Sequence, residues 1–364
     1  MKKVCLVAPI PPPYGGIANW VVLLSEYLRK QEEIELVHVN IAPKKRGLDG
    51  RTLWDRIVGQ GMAMFAQKRE LKKAIKEKNV DVIHMTTSGQ LATIRDIQML
   101  KIAKRNKIPT VYHIRFGRMA EIAQKNTFEW KLIKRAMRLA SMVMAIDNRT
   151  YDAIRAHLPN VNACCIPNPF DLDKVEKNVQ TLSNEKEIVY VGWIVKTKGI
   201  EELLTAWKNI HALYPEWKLK LVGPYAQEYY DTLKNNFSFE QVEFLGEQPH
   251  DKAMEILSQA SVFILPSYTE GFPNAVVEAM ALGTAVAGSD VGAISEMLAD
   301  DCGIVFEAKS EQAVYDALKF AFENETKMTE FAQNARQKTQ DQYALEKVVA
   351  KYKKIWSESS YESV

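Results

Sequence analysis

The chain has 364 residues, of which 47% are hydrophobic and 26% are charged, and its formal net charge is +3 at pH 7. This composition is typical of a globular protein and excludes a disordered, collagen-like or disulfide-rich chain. The small total conceals two unequal halves: residues 1–170 contain 29 basic and 14 acidic side chains (+15), whereas residues 171–364 contain 19 and 31 (−12), which indicates two domains with different partners.

Short apolar runs alternate with amphipathic, helix-length segments through the first half of the chain. The predicted strands are 3–8, 35–40, 82–85, 110–114, 142–146 and 163–166. The predicted helices are 17–30, 54–78, 90–106, 128–140 and 148–158. Apolar strands that alternate with helices indicate a parallel sheet covered on both faces. The sequence contains no run of about 18 apolar residues, so it predicts no membrane span. The first apolar run ends at the prolines 11–13, and we therefore interpret it as a strand and not as part of a signal peptide.

The same pattern begins again after the polar stretch 174–187. The predicted strands are 188–191, 219–222, 242–245, 262–265, 284–287 and 303–306. The predicted helices are 198–213, 226–236, 249–259, 274–282 and 310–324, and 326–357 is predicted to be helical. We therefore predict an α/β protein with two doubly wound, Rossmann-like domains, 1–170 and 171–343. Ligands should bind at the carboxyl ends of the strands, in a cleft between the domains.

Two segments of the first domain carry candidate functional residues. In the loop PPPYGGI (11–17), Gly15 and Gly16 permit close approach of a ligand, and the helix start offers N–H groups to an anion. The dinucleotide fingerprint and the P-loop are absent, which argues against a nicotinamide dehydrogenase. His113 ends the fourth strand, where it either faces a ligand or is a structural histidine. Arg115 and Arg118 either contact phosphate or are solvated.

Two further segments lie in the second domain. Lys198 falls at a helix start, where a cation opposes the helix dipole; this indicates an anionic ligand, unless the lysine only faces solvent. Glu270 precedes a helix that begins near Pro273, and the backbone N–H groups of 273–276 should point beside it. Glu278 lies two turns into that helix. Two acids in such different settings suit two roles, one near the reacting centre and one that accepts hydrogen bonds from hydroxyl groups. The alternative for either glutamate is that it only caps a helix or is exposed to solvent.

Together these segments resemble glycosyltransferase family 4, which comprises retaining sugar-nucleotide transferases of the GT-B fold. The E-x7-E motif of that family runs here from Glu270 to Glu278. The resemblance covers nearly the whole chain, and its other motifs are PPPYGG, the His113 segment, IPNPFD (166–171), VGWIVKTKGIEELLTAW (191–207), KLKLVG (218–223), VEFLG (242–246) and DVGAISEML (290–298). One position departs from the family: Trp193 replaces a usual arginine, so Lys196 or a first-domain arginine would supply the second charge, or donor binding would be weaker.

The resemblance implies a retaining transferase that moves a sugar from a nucleotide-diphosphate sugar to a glycan or lipid-linked acceptor. The process would be bacterial surface polysaccharide synthesis, of capsule, O-antigen or exopolysaccharide. His113, Glu270 and Lys198 are the implied catalytic residues, with Lys198 on the diphosphate. Glu278 is expected to bind the ribose hydroxyls. The complete set of implied donor-binding residues is Gly15, Gly16, Gly192, Trp193, Lys196, Gly223, Gly271, Phe272, Pro273, Asn274, Ala275 and Glu278.

The remaining expectations concern metal, location and partners. We expect no metal and no other cofactor, because Asp171 and Asp173 more plausibly fix a turn or a cap than bind a cation. We expect a cytoplasmic protein with no nucleic-acid partner, whose C-terminal helix (about 344–364) packs back on the first domain. The basic half would dock on an anionic inner membrane leaflet. Its basic segments are 44–46, 68–78, 101–107 and 131–138.

Two other functions stay open on the sequence alone. The first is a sugar-nucleotide epimerase or phosphorylase of the same architecture, because the E-x7-E segment also occurs in some phosphorylases. The second is a catalytically weak subunit that binds a sugar nucleotide without turnover, which Trp193 suggests. Transfer of a sugar to an acceptor, followed by the mass of the product, distinguishes these functions from the transferase.

Overall fold

The computed structural model of the protein describes residues 1–12, 15–42, 53–176 and 186–359, with only the helical course of 53–61. It divides into two compact units. The N-terminal unit comprises residues 1–168 and the C-terminal segment from Val348, and the C-terminal unit comprises residues 169–347. Within the described ranges, no helix combines the length and the apolar character needed to cross a membrane.

The N-terminal unit is built on a six-stranded, fully parallel sheet. Its strands are β1 (Lys2–Ala8), β2 (Ile34–Asn40), β3 (Val82–Thr87), β4 (Thr110–Ile114), β5 (Met142–Ala145) and β6 (Ala163–Cys165). Its helices are α1 (Gly16–Arg29), α2 (Leu53–Lys78), α3 (Ala92–Arg105), α4 (Met119–Gln124), α5 (Phe128–Met137) and α6 (Asn148–His157). The strand order β2-β1-β3-β4-β5-β6 reverses between β1 and β3, which is where such sheets bind ligands.

The C-terminal unit repeats this architecture with a second six-stranded parallel sheet. A one-turn helix, α7 (Asp173–Glu176), precedes it. Its strands are β7 (Glu187–Val191), β8 (Lys218–Val222), β9 (Val242–Gly246), β10 (Val262–Leu265), β11 (Ala285–Ser289) and β12 (Ile304–Phe306). Its further helices are α8 (Ile200–His211), α9 (Gln227–Asn236), α10 (His250–Gln259), α11 (Asn274–Leu282), α12 (Ile294–Leu298), α13 (Glu311–Glu323) and α14 (Glu325–Lys338). The order β12-β11-β10-β7-β8-β9 reverses between β7 and β10.

The predicted α/β fold with two Rossmann-like domains is confirmed. All twelve predicted strands are present, with ends shifted by at most two residues. The sequence did not predict α4, α7 and α12, which are only six, four and five residues long. Helices of about one turn are too short to produce a periodic apolar pattern, which explains why they were missed.

The prediction of one helical stretch over 326–357 needs a correction. After α14 the chain forms a π-helical turn at Thr339–Tyr343, and Ala344 is extended before α15 (Leu345–Glu358) begins. The backbone of Phe170 pairs at this break: its N–H donates to the Tyr343 carbonyl at 2.7 Å, and its carbonyl accepts from the Leu345 N–H at 2.9 Å. These bonds replace helical ones, so the helix is interrupted.

Strand β4 shows how the N-terminal sheet separates two environments. Tyr112 is fully buried on one face, where its hydroxyl donates to Asp96 Oδ2 on α3 at 3.1 Å. His113 points to the opposite face because side chains alternate along a strand, and Arg115 follows on that same face. Two basic side chains are therefore placed together at the carboxyl end of β4.

Candidate active site

The loops that follow β7 and β10 lie side by side at the reversal point of the C-terminal sheet. The backbone N–H of Tyr268 donates to the Thr197 carbonyl at 2.9 Å. Gly199 adopts φ +72°, and a Cβ atom there would lie 2.0 Å from the Pro266 carbonyl oxygen. Only glycine permits this backbone and this approach, so the two loops are fixed against each other.

This contact brings Lys198 and Glu270 together. Lys198 Nζ lies 2.5 Å from Glu270 Oε1, and the Ser267 hydroxyl donates to the same oxygen at 2.7 Å. Ser267 is buried, and its carbonyl accepts from the Ser289 hydroxyl at 2.6 Å. The Lys198 and Glu270 side chains are only 27% and 12% exposed. A cation and a carboxylate are thus held at the edge where ligands bind, by charge-assisted hydrogen bonds.

The start of α11 differs in detail from the prediction. Pro273 is the N-cap residue and Asn274 is the first helical residue. Pro273 has no N–H, and the Val276 N–H donates to the Pro273 carbonyl at 3.2 Å. The expected donor set of residues 273–276 therefore reduces to Asn274 and Ala275, whose N–H groups have no acceptor within the helix.

The loop before α11 is fixed on two sides. Gly292 packs so closely that a Cβ atom there would lie 2.5 Å from the carbonyl oxygen of Glu270 and 2.6 Å from that of Gly271. The Gly271 carbonyl also accepts from the Ala293 N–H at 2.8 Å. The Phe272 side chain is buried, and its ring meets that of Tyr343 edge to face at 5.4 Å. Phe272 therefore anchors the loop through its side chain, and only its backbone can face a ligand.

Glu278 has a partner that the sequence interpretation missed. Its Oε1 lies 3.1 Å from His250 Nε2, and the Glu278 side chain is 15% exposed. This hydrogen bond raises the pKa of His250, and the burial of the ring opposes the shift. His250 is the first residue of α10, so it is a basic residue at a helix start, the signal that pointed to Lys198.

Gly192 and Gly223 have a packing role in this structure. A Cβ atom at Gly223 would lie 1.8 Å from the Gly192 carbonyl oxygen, and one at Gly192 would lie 2.9 Å from the Tyr190 hydroxyl. That hydroxyl donates to the Trp193 carbonyl at 2.7 Å, and burial raises the pKa of Tyr190, so it remains a donor. Trp193 itself is 66% exposed. Lys196 forms an exposed ion pair with Glu201 at 3.1 Å. Donor contacts by these residues stay predictions.

The N-terminal unit places His113 in a buried chain of hydrogen bonds. The Trp356 indole N–H donates to His84 Nδ1 at 2.9 Å, and His84 Nε2 lies 3.0 Å from His113 Nδ1. An indole nitrogen can only donate, so His84 Nδ1 must be the acceptor. His84 then carries its proton on Nε2 and donates it to His113, which in turn carries its proton on Nε2.

The protonation of His113 follows from its surroundings. Burial lowers the pKa of His84 to about 3 and that of His113 well below its ordinary value, with the Arg115 charge acting in the same direction. Both rings are therefore neutral at pH 7. Among the residues that the structure describes, His113 Nε2 has no hydrogen-bond partner, although it is buried. His113 thus presents one fixed N–H donor.

The two arginines that follow β4, Arg115 and Arg118, have different surroundings. Arg118 pairs with Glu129 at 2.5 Å. Arg115 is buried, with its guanidinium 4.4 Å from the centre of the Trp20 ring. Among the described residues, nothing lies within 4 Å of a Cβ atom added at Gly15 or Gly16. Positions 13 and 14 of the motif lie outside the described residues.

Two Rossmann-like units, each built on a six-stranded parallel sheet, are the architecture of the GT-B fold. The Anabaena protein HepE, solved in complex with UDP, has this fold: it matches with a TM-score of 0.72 at 17% identity over 98% of this chain and all of that one. Residues 14–174 match the family model described as Glycosyltransferase Family 4, and residues 173–338 match that of Glycosyl transferases group 1. The chain belongs to glycosyltransferase family 4, so the resemblance seen in the sequence is confirmed.

Two relatives illustrate the similarity within the family. The glycosyltransferase TuaC of Bacillus subtilis (strain 168), assigned provisionally to teichuronic acid biosynthesis, is 26% identical over 262 residues. This alignment covers 68% of this chain and 63% of TuaC. The N-acetyl-alpha-D-glucosaminyl L-malate synthase of Bacillus anthracis is 24% identical over 307 residues, which cover 80% of this chain and 78% of the synthase.

Proposed function

We propose that the protein is a retaining glycosyltransferase that moves a sugar from a nucleotide-diphosphate sugar to a glycan or lipid-linked acceptor. The process would be the synthesis of a bacterial surface polysaccharide. The observation that carries the proposal is the Lys198–Glu270 pair, which lies at the reversal point of a parallel sheet. The provisional assignment of TuaC to teichuronic acid and the UDP bound to HepE support the acceptor class and the nucleotide donor.

The pair at Lys198 can change partners when a donor binds. The ammonium group would take a diphosphate oxygen in place of Glu270, and Glu270 would accept hydrogen bonds from sugar hydroxyls. The N–H groups of Asn274 and Ala275 would face the same ligand. Glu278 would exchange His250 for the ribose hydroxyls. Each charge that loses a protein partner gains a ligand partner, so the free enzyme keeps these groups satisfied until the donor arrives.

The proposed reaction is a displacement on one face of the sugar. The bond between the anomeric carbon and the leaving phosphate oxygen breaks, and a bond from the acceptor oxygen to that carbon forms on the same face. The acceptor hydroxyl proton passes to the leaving phosphate. Negative charge grows on the phosphate as the bond breaks, and a fixed cation such as Lys198 is worth about 3–4 kcal/mol at such a point.

A donor screen followed by product analysis tests this function. Purified protein is heated with UDP-, GDP- and ADP-sugars, and a bound donor should raise the melting temperature. That donor is then incubated with candidate acceptors, and NMR of the product should show the donor's anomeric configuration. Conversion of the sugar nucleotide into an epimer in the absence of an acceptor would support an epimerase. A reaction that depends on inorganic phosphate would support a phosphorylase, and binding without turnover would support a non-catalytic subunit. A product of inverted configuration would contradict retention.

We propose that transfer needs no divalent metal. Lys198 can supply the positive charge that a metal would otherwise bring to the diphosphate. In the part of the chain that the structure describes, no three His, Cys, Asp or Glu side chains converge as a metal site would require. Activity should therefore persist in EDTA, and loss of activity that Mg²⁺ or Mn²⁺ restores would contradict this proposal.

We also propose that the cytoplasmic enzyme docks its basic half on an anionic membrane surface to reach a lipid-linked acceptor. A groove between α2 and α3 is lined by basic side chains, with the Phe65 ring 68% exposed beside them. These basic residues are Lys68, Arg69, Lys72, Lys101 and Arg105. Basic residues near an anionic surface contribute roughly 1 kcal/mol each. The basic segment 44–46 lies outside the described residues.

Sedimentation with vesicles tests this docking. Vesicles that contain phosphatidylglycerol should retain the protein at low salt and release it as salt rises, because exposed charges are screened. Neutral vesicles serve as the control. Equal binding to both kinds of vesicle, or binding that salt does not weaken, would contradict an electrostatic surface.

A further inference from the structure

Arg115 is a buried cation at the carboxyl edge of the N-terminal sheet. It follows β4 on the same face as His113, and both side chains lie against Trp20, whose ring centre is 4.4 Å from the guanidinium and 5.6 Å from the imidazole. Arg115 is only 9% exposed. The C-terminal helix closes the other side, where the Tyr352 side chain lies beside Arg115 and acts against the lowering of its pKa.

In the part of the chain that the structure describes, the guanidinium has no counter-ion. Nε and Nη1 of Arg115 are buried without a hydrogen-bond partner, and among the described residues no carboxylate lies within ion-pair distance. The Nε2–H of His113, which lies against the same Trp20 ring, also has no partner. Burial lowers the pKa of Arg115 to about 10, so the group remains a cation at pH 7. A buried charge is normally paired, and within the described ranges this one is not.

The donors that converge here suit an oxyanion. Guanidinium groups bind carboxylate and phosphate oxygens through several N–H bonds at once, and an adjacent neutral imidazole N–H adds a further donor. A sugar hydroxyl alone would leave the buried positive charge without compensation. The unpartnered nitrogens therefore indicate a ligand that brings negative charge.

We propose that Arg115, with the Nε2–H of His113, forms an oxyanion subsite in the N-terminal unit that binds a phosphate or carboxylate group of the acceptor. This inference rests on the proposed function, because it names the class of acceptor. The donor diphosphate has a separate cation, Lys198, in the C-terminal unit. The acceptor would then be a phosphorylated carrier or an acidic sugar.

Calorimetry with two simple anions tests the subsite. A nucleotide diphosphate that raises the melting temperature is first added to saturation, so that the donor site is filled. Inorganic phosphate and D-glucuronate are then titrated separately, with D-glucose as the neutral control. One of the anions should bind, which also distinguishes a phosphate-bearing from a carboxylate-bearing acceptor. Binding of neither anion, or equal binding of glucose, would overturn the proposal.

Variants identify the residue responsible. Arg115→Met should weaken binding of the anion at least tenfold, and Arg115→Lys should weaken it less, because the charge remains. Arg118→Met is the matched control: Arg118 is three residues away and already paired with Glu129, so the affinity for the anion should not change. Wild-type affinity in Arg115→Met would overturn the proposal. If Arg115→Met does not fold, unchanged anion affinity in Arg115→Lys, together with an unchanged acceptor KM, would overturn it.

Nucleotide affinity distinguishes failure of this inference from failure of the proposed function. Arg115→Lys and Arg115→Met should bind the nucleotide diphosphate as the wild type does, and should raise the KM of the acceptor at least tenfold more than that of the donor. Loss of nucleotide affinity in these variants would assign Arg115 to the donor and overturn the subsite alone. A wild-type protein that binds no sugar nucleotide would instead contradict the proposed function.

Discussion

The ligand edges of the two sheets each hold a basic side chain, but the two cations are in opposite states. Lys198 in the C-terminal unit is already bonded to Glu270, whereas Arg115 in the N-terminal unit has no carboxylate partner among the described residues. A paired cation suits a ligand that supplies both anionic oxygens and hydroxyls, because both partners are then replaced. An unpaired buried cation suits a ligand that supplies only the missing negative charge.

The largest expected effect on the rate of transfer comes from removing one partner of the Lys198–Glu270 ion pair. Lys198→Ala and Glu270→Gln should each lower kcat by about 10²–10³-fold, the loss seen when one charge-stabilising group is removed from a reacting centre. Steady-state transfer assays measure the loss. Lys186→Ala is the control, because it removes an exposed ion pair with Glu216 at the amino end of β7. Wild-type rates in both active-site variants would show that the pair does not act on the substrate.

A second prediction concerns the contact that fixes the pair. Gly199→Ala should lower the free energy of unfolding by more than about 2 kcal/mol, since a Cβ atom would overlap the Pro266 carbonyl in a left-handed backbone. Gly246→Ala is the matched control: its φ of +66° is similar, but nothing lies within 4 Å of the added atom. Gly246→Ala should lower the free energy of unfolding by only about 1–2 kcal/mol, the cost of a left-handed backbone for a residue with a Cβ atom. Chemical denaturation compares the two, and equal losses would mean that the loops are not in tight contact.

A third prediction tests the proton position on His113. His84→Phe should lower kcat about tenfold, because His113 loses the donor that fixes its tautomer, and His84→Gln should restore part of it through its amide N–H. The neighbouring His84 also helps to lower the pKa of His113. The acid limb of the kcat–pH profile should therefore move to higher pH in His84→Phe. An unmoved profile with equal losses in both variants would indicate a packing role alone.

The smallest expected effect is the pH dependence of the His250–Glu278 pair. The pKa of His250 is raised above its ordinary value of 6.5, so the pair stabilises the folded state fully below that pH and loses its contribution as pH rises through the raised value. The difference in melting temperature between wild type and His250→Ala should be largest near pH 5.5 and shrink by pH 8.5. The imidazole is 62% exposed, so solvent screening keeps the effect small. A constant difference would contradict the pairing.

The sequence predicted the fold well because apolar strands and amphipathic helices are local patterns. Lys198 and Glu270 were also accessible, since each lies in the loop that follows a predicted strand, whereas the packing role of Gly199 was not predicted. The break at Ala344 was not, because it depends on hydrogen bonds to Phe170, far away in the chain. Pairing at such a distance leaves no periodic signal in either segment.

The surroundings of His113 and Arg115 in the N-terminal unit also depend on residues that are distant in the sequence. His113 stood out by its position, but its tautomer depends on His84 and on Trp356, which lies 272 residues beyond His84. For Arg115, the sequence left open whether the side chain meets phosphate or water. Alternation along β4 places it beside His113, but only the fold shows that it is buried and that no described residue serves as its counter-ion.

The separate roles of Lys198 and Arg115 are tested by the melting-temperature rise that a nucleotide diphosphate produces in three proteins: wild type, Lys198→Ala and Arg115→Met. If Lys198 binds the donor diphosphate and Arg115 binds the acceptor, the rise should be present in wild type and Arg115→Met and strongly reduced in Lys198→Ala. A rise that persists in Lys198→Ala but disappears in Arg115→Met would contradict these roles, because Arg115 would then bind the donor.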